Sequence, residues 1–156
     1  MRTILALIPM ILLCTTGVQA QSEPPRTIVG EARVLDGDTI LVQEKPVRLY
    51  GISAPAISNW PWGPFSRAML DTLVNGKKVS CLVIETDRNR NPVARCDLPG
   101  GSLAGGKTLG EAMIRSGWAT HHRLATHGRE PHALNEQYDD AEEKARIDKV
   151  GIWGLR

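Results

Sequence analysis

The sequence has no marked excess of either charge: 19 Lys and Arg stand against 17 Asp and Glu, a formal net charge of +2. No broad basic field advertises tight nucleic-acid binding, although a local basic cleft is compatible with this balance. Aromatics make up only 4% of the chain, and four of the seven are Trp, so each Trp is worth following individually. The compositional biases of collagen, coiled coils and strongly disordered chains are absent, which leaves a globular domain. At 156 residues the chain has the length of one domain. Long apolar runs are missing except at the start, where Ile4 to Leu13 is interrupted only by Pro9. That run is too short to span a bilayer. With Met1-Arg2 before it and Val18-Gln19-Ala20 after it, it reads as a signal peptide over 1–20, cleaved near Ala20. A lipid anchor on Cys14 is the rival, disfavoured by the bulky Leu13 before it. The expectation is a secreted or periplasmic protein with no membrane span in its mature chain, expected to be a monomer.

Only three cysteines occur. Without Cys14, the pair Cys81 and Cys96 remains, flanking a polar stretch from Thr86 to Pro92 that has the character of a hairpin turn. A simple hairpin centred there places the two opposite each other, close enough for a disulfide in an oxidising compartment. Two buried thiols packed as small hydrophobes are the alternative.

Residues 21–27 are polar and contain Pro24-Pro25, so they are expected to form a disordered lead-in. The domain is expected to cover 28–156. Strands are expected at 28–34, 39–43 and 47–52, with a cysteine-bearing hairpin over 78–85 and 93–98. Helices are expected at about 65–74, 109–116 and 134–149. Thr108 and Glu111 have capping-box spacing, and Gly117 is placed to stop the second helix. In the third, Tyr138, Ala141, Ala145 and Lys149 share a face, with Gly151 as the stop. The fold class is α+β, dominated by a closed or nearly closed β-barrel of five short strands with three helices.

Gly101 to Thr108 fits the P-loop pattern G-x-x-x-x-G-K-[ST]. That loop needs a parallel βαβ setting, whereas the preceding strand reads as an arm of an antiparallel hairpin. A glycine-rich loop entering a capped helix is the preferred reading.

Other motifs carry more information. Val34-Leu35-Asp36-Gly37-Asp38-Thr39-Ile40, followed by Val47-Arg48-Leu49-Tyr50-Gly51-Ile52, resembles the opening of the staphylococcal nuclease (thermonuclease) family. The likeness continues through Trp62-Gly63-Pro64, Asn75-Gly76-Lys77 and Val93-Ala94-Arg95-Cys96, then through 109–119 and on to Gly151-Ile152-Trp153. It covers nearly the whole chain after the leader, in order. The resemblance implies a five-stranded OB-fold barrel with three helices, thermonuclease-like. It also implies a site that cuts DNA and RNA phosphodiesters with one Ca²⁺, carboxylate ligands, a glutamate that activates water, and two arginines on the phosphate. A hard cation wants several oxygen ligands, the arginines stabilise charge on the phosphate, and neutral water needs a base.

Position by position, the resemblance carries over only part of that apparatus. Asp38 matches the first metal carboxylate, Asp36 its outer neighbour and Arg48 the first arginine. Where the family continues Asp-Thr-Pro-Glu, this chain has Ser53-Ala54-Pro55-Ala56. The second metal ligand is thus Ser53, and the catalytic glutamate is Ala56. Where the family turn reads Tyr-Gly-Arg, this chain has Asn89-Arg90-Asn91. The second arginine position is therefore Asn91, with Arg90 one residue early. Losing the base removes about 10²- to 10⁴-fold in rate, and losing an arginine clamp a comparable factor, although such effects need not multiply.

The leading expectation is an exported thermonuclease-like protein, impaired or inactive as a phosphodiesterase, that retains ligand binding in the barrel groove. No cofactor is expected, with Ca²⁺ relevant only if the residual Asp38 and Asp36 site still holds metal. Candidate ligands are an oligonucleotide or an acidic glycan, with Trp60 and Arg90 as candidate contacts. Two alternatives stand beside it. An active metal-dependent endonuclease would need Asp139, Glu142 or another distant carboxylate to replace the missing acids. An accessory role in succinoglycan-type exopolysaccharide biosynthesis follows from resemblance alone. Several residues have plainer readings. Asp36-Gly37-Asp38 reads as a turn, Arg48 as an ion-pair partner of an aspartate, and Trp62 as packing at a helix start. Trp118 and Trp153 are expected to be buried anchors. His121, His122, His127 and His132 read as a solvated loop rather than a metal cluster.

Overall fold

A computed structural model describes residues 26–98, 107–122 and 132–154, without the side chains of 132 and 133. The expected leader (1–20), most of the lead-in and the glycine-rich stretch 101–106 lie outside the described residues. Five strands close a barrel: β1 (Thr27–Asp36), β2 (Thr39–Val42), β3 (Lys45–Leu49), β5 (Lys78–Thr86) and β6 (Pro92–Asp97), in the order β1-β2-β3-β6-β5. Pairing between β1 and β5 closes the ring, and β3–β6 is the parallel pair. Among the described residues, three α-helices, α1 (Trp62–Val74), α2 (Leu109–Arg115) and α3 (His132–Ile147), accompany it. This is the α+β, barrel-dominated architecture expected from the sequence.

Alternation along the strands builds the interior. In β1, Ile28, Ala32 and Val34 are buried while Glu31, Arg33 and Leu35 are exposed, as period-two geometry requires. Ile40, Val42, Val47 and Val79 are fully buried, so branched aliphatics fill the barrel. Tyr138, Ala141 and Ala145 form the buried face of α3. The Tyr138 hydroxyl lies 3.0 Å from Thr108 Oγ1, tying α3 to the start of α2. The Thr108 cap is present, as Glu111 N–H donates to Thr108 Oγ1 (3.0 Å), while the Glu111 carboxylate accepts from the N–H of Lys107 (2.8 Å), one residue before the capping-box partner. Cys81 and Cys96 are directly opposite in the β5–β6 register and form a disulfide, with Cα atoms 4.0 Å apart.

Several boundaries differ from expectation. Pairing begins at Thr27, opposite Leu82, so the strand reaches into the expected lead-in. The expected strand 47–52 divides, because Gly51 adopts a left-handed φ of 73°. Beyond it, Ile52–Ser53 (β4) leaves the barrel to pair with Thr120–His121 (β7). Helix α1 starts at Trp62, with Pro64 accommodated in its first turn. Helix α3 ends at Ile147, so Lys149 lies beyond it and is exposed, and Gly151 opens a short 3₁₀ turn instead of stopping the helix. Trp118 and Trp153 are half-buried, not fully buried. Trp118 packs on Phe65 with ring centroids 5.6 Å apart, and Trp153 lies under the Arg146 guanidinium at 4.3 Å.

Candidate active site at the barrel mouth

The turn joining β1 and β2 is built by its own aspartates. Asp36 Oδ1 accepts from Gly37 N–H (2.8 Å), and Asp38 Oδ1 accepts from the Thr39 hydroxyl (2.8 Å). Gly37 is required by close approach: a Cβ there would fall 2.0 Å from Ser66 Oγ of α1 and 2.8 Å from the Ala54 Cβ. The turn is thus pressed against both the helix and the segment after β4. Thr39 pairs with Arg48 in the β2–β3 register, which brings the arginine to the same mouth as Asp38. Arg48 Nη2 lies 3.5 Å from Asp38 Oδ2, and Ala54 N–H approaches the same oxygen at 3.5 Å.

These residues line a hollow of about 340 Å³, bordered by Asp36, Asp38, Arg48, Ser53, Ala56 and Asn91, with Asp87 at its edge. The hollow therefore brings Asp36, Asp38, Arg48 and Asn91 together with Ser53 and Ala56, the two positions where the sequence resemblance leads one to expect acids. Asp38 is well sheltered, with 15% of its side chain exposed, whereas Arg48 is 43% exposed. Among the described residues, no three His, Cys, Asp or Glu groups converge as a metal cluster.

Asp87 was not foreseen. Its carboxylate accepts from the backbone N–H of Asn89 and of Asn91 (2.8 Å each) and from the Asn91 side-chain amide (3.2 Å). The Asn91 amide first, then the Asn91 side chain, the Asn89 amide and the charge of Arg48 hold its pKa below the ordinary carboxylate range, outweighing its desolvation. Both of its oxygens serve the turn. An Asp two residues before Asn-x-Asn was the available signal, but the same pattern also describes an ordinary Asx turn.

Arg90 and Trp60 do not border this hollow. Arg90 is exposed in the turn with a φ of 64°, the conformation suited to the glycine the family pattern places there. It is Asn91 that faces the site. Trp60 lies on the loop before α1 and is 78% exposed.

The histidines diverge. The His121 side chain is 1% exposed, its Nδ1 2.9 Å from Asp139 Oδ1, while its backbone N–H donates to Glu142 (2.9 Å). His122 instead borders a smaller hollow of about 150 Å³ with Arg48, Glu85 and Asp87. His127 and the His132 side chain lie outside the described residues. Asp139 and Glu142 border a separate hollow of about 510 Å³ with His121, Asp140, Glu143 and Arg146, and do not line the Asp38 site. Thr108, the last residue of the P-loop-like pattern, is buried and occupied as a helix cap.

Comparison with known proteins agrees with this geometry. A family model described as staphylococcal nuclease homologue matches residues 46–154, which includes Arg48, Ser53, Ala56 and Asn91. A probable endonuclease LCL3 from Pyricularia oryzae is 32% identical over 136 residues, 84% of this chain and 50% of that protein. A probable endonuclease lcl3 from Pyrenophora tritici-repentis is 31% identical over 112 residues, 69% of this chain and 40% of its own length. An uncharacterized 38.1 kDa protein from Capnoides sempervirens is 32% identical over 124 residues, 78% of this chain and 32% of that one. The chain spans half or less of the length of these relatives. On a match that covers more than half of its residues, the chain belongs to the staphylococcal nuclease homologue family.

Proposed function

We propose that this is an exported nuclease-fold protein that hydrolyses phosphodiesters poorly or not at all and retains anionic-ligand binding at the barrel mouth. One observation carries the reading. Ser53 and Ala56 border the hollow beside Asp38, where a metal carboxylate and a general base are needed. The remaining donors do not fit a tightly held Ca²⁺. Asp38 is engaged by Thr39 and faces Arg48, Asp36 is engaged by Gly37, and Asp87 is committed to its turn. A hard cation seeking six or more oxygens would keep most of its water.

The exposed Arg48 guanidinium remains available to a phosphate. The relatives named as probable endonucleases favour an oligonucleotide over an acidic glycan. Export is supported by the apolar start of the chain and by the Cys81–Cys96 disulfide, which suits an oxidising compartment.

The test is cleavage of DNA and RNA with Ca²⁺ or Mn²⁺ by the wild type, Asp38→Ala, and the double variant Ser53→Asp/Ala56→Glu. The expected result is no cleavage that depends on Asp38 in the wild type, and a gain of about 10²-fold or more in the double variant. Brisk, chelator-sensitive digestion by the wild type that is lost in Asp38→Ala overturns the proposal.

A further inference from the structure

Trp60 is the most exposed large apolar side chain among the described residues, at 78%, whereas tryptophan is on average highly buried. Its backbone is nonetheless tightly fixed. Asn59 N–H donates to the Ala56 carbonyl (2.7 Å), and Gly63 N–H donates to the Asn59 carbonyl (2.7 Å). A Cβ on Gly63 would fall 2.0 Å from the Ala56 oxygen, so the two feet of the loop are in contact. One of those feet, Ala56, borders the hollow that contains Arg48. Trp60 is four steps of chain from Ala56, which limits the separation of their Cα atoms to about 14 Å even if fully extended.

Charge narrows the occupant. From Ser53 to Ser66 there is no Asp, Glu, Lys, Arg or His. The loop therefore offers no cation for a phosphate and no anion to repel one. Its most exposed group is one flat indole, and Ile57 and Phe65, on the same stretch of chain, are about half exposed. We infer that Trp60 is a stacking platform for an unpaired nucleobase of a single strand whose backbone passes Arg48. The inference rests on the nucleic-acid reading above and adds strand type and contact mode. Bases inside a duplex have their faces covered by their neighbours, so only a single strand can offer one.

The experiment uses the full chain and a fluorescently labelled 12-nucleotide single-stranded DNA, the same sequence as a duplex, and single strands with one abasic position moved stepwise along them. Wild type is expected to prefer the single strand, and Trp60→Ala to weaken that binding by about tenfold or more. Trp60→Phe should restore most of the loss. One abasic position should weaken wild-type binding to the level of Trp60→Ala and cost the variant nothing further. Single-strand affinity unchanged in Trp60→Ala, or equal wild-type affinity for the duplex, overturns this inference alone. Absence of any oligonucleotide binding by the wild type, with or without binding of an acidic polysaccharide, overturns both this inference and the nucleic-acid reading.

Discussion

Asp97 shows how one carboxylate can work against its own fold. It lies in β6 opposite Ser80, half-buried, with a sheltered Oδ1 that has no hydrogen-bond partner among the described residues. Burial pushes its pKa up, partly offset by the positive charge of Arg95. An acid whose folded pKa is raised binds its proton more tightly in the native state, so stability falls as pH rises through that range. Asp97→Asn is expected to raise the melting temperature at pH 7, with the gain disappearing below the unfolded pKa near 4, in thermal scans from pH 3 to 8. Asp87 has the opposite sign. Its lowered pKa contributes stability above the ordinary aspartate range that is lost as pH falls through the folded value. Asp87→Ala should loosen the turn and displace Asn91 from the hollow, seen as altered amide shifts at Asn89 and Asn91. No comparable change is expected at Thr108, the N-cap of α2.

At the scale of elements, the cap of α2 joins helix to helix, because the Thr108 hydroxyl meets both the Glu111 amide and Tyr138. Thr108→Ala is expected to cost about 1–2 kcal/mol in urea unfolding, in the upper part of the range for an N-cap because a buried partner is lost as well. That cap was legible in the sequence because its signal is local, two polar residues at fixed spacing. The barrel strands were legible for a similar reason: alternation in β1 repeats over ten residues and leaves little choice of face. β4 and β7 were not legible. Each has two residues, too few to show a period, and their pairing joins Ser53 to Thr120 across 67 positions of chain. Asp87 was missed for a different reason. Its residue type marks a turn anywhere, and only the register that sets Val93 beside Arg48 brings that turn to the barrel mouth. That Ser53 and Ala56 stand near Asp38 was legible, because the motif around them survives in the sequence, and both border its hollow.

For the whole molecule, the Cys81–Cys96 bridge closes a loop of 15 residues within the barrel wall. In the chain-entropy view, a loop of this size is worth about 3 kcal/mol. The Cys81→Ser/Cys96→Ser double variant should therefore lose about that much unfolding free energy, read as a lower urea midpoint, and a reductant should have the same effect on the wild type. Oligonucleotide binding, if confined to Arg48 and a stacked base, should depend only shallowly on salt. The expected slope of log affinity against log salt is about −0.7 for a single strand held by one cation. A steep slope would mean that further cations, such as Arg88 and Arg90 of the neighbouring turn, share the load.

The seam between β1 and β5 seals the hydrogen-bond ladder into a ring. Ser53 and Ala56 stand outside that ring, so neither contributes to holding it shut. Chemistry and architecture are thereby uncoupled: acids can be gained or dropped at those two places without unfastening a single staple of the hoop. Such a hoop endures whatever trade is practised at its doorway, and shape alone is a poor witness to employment.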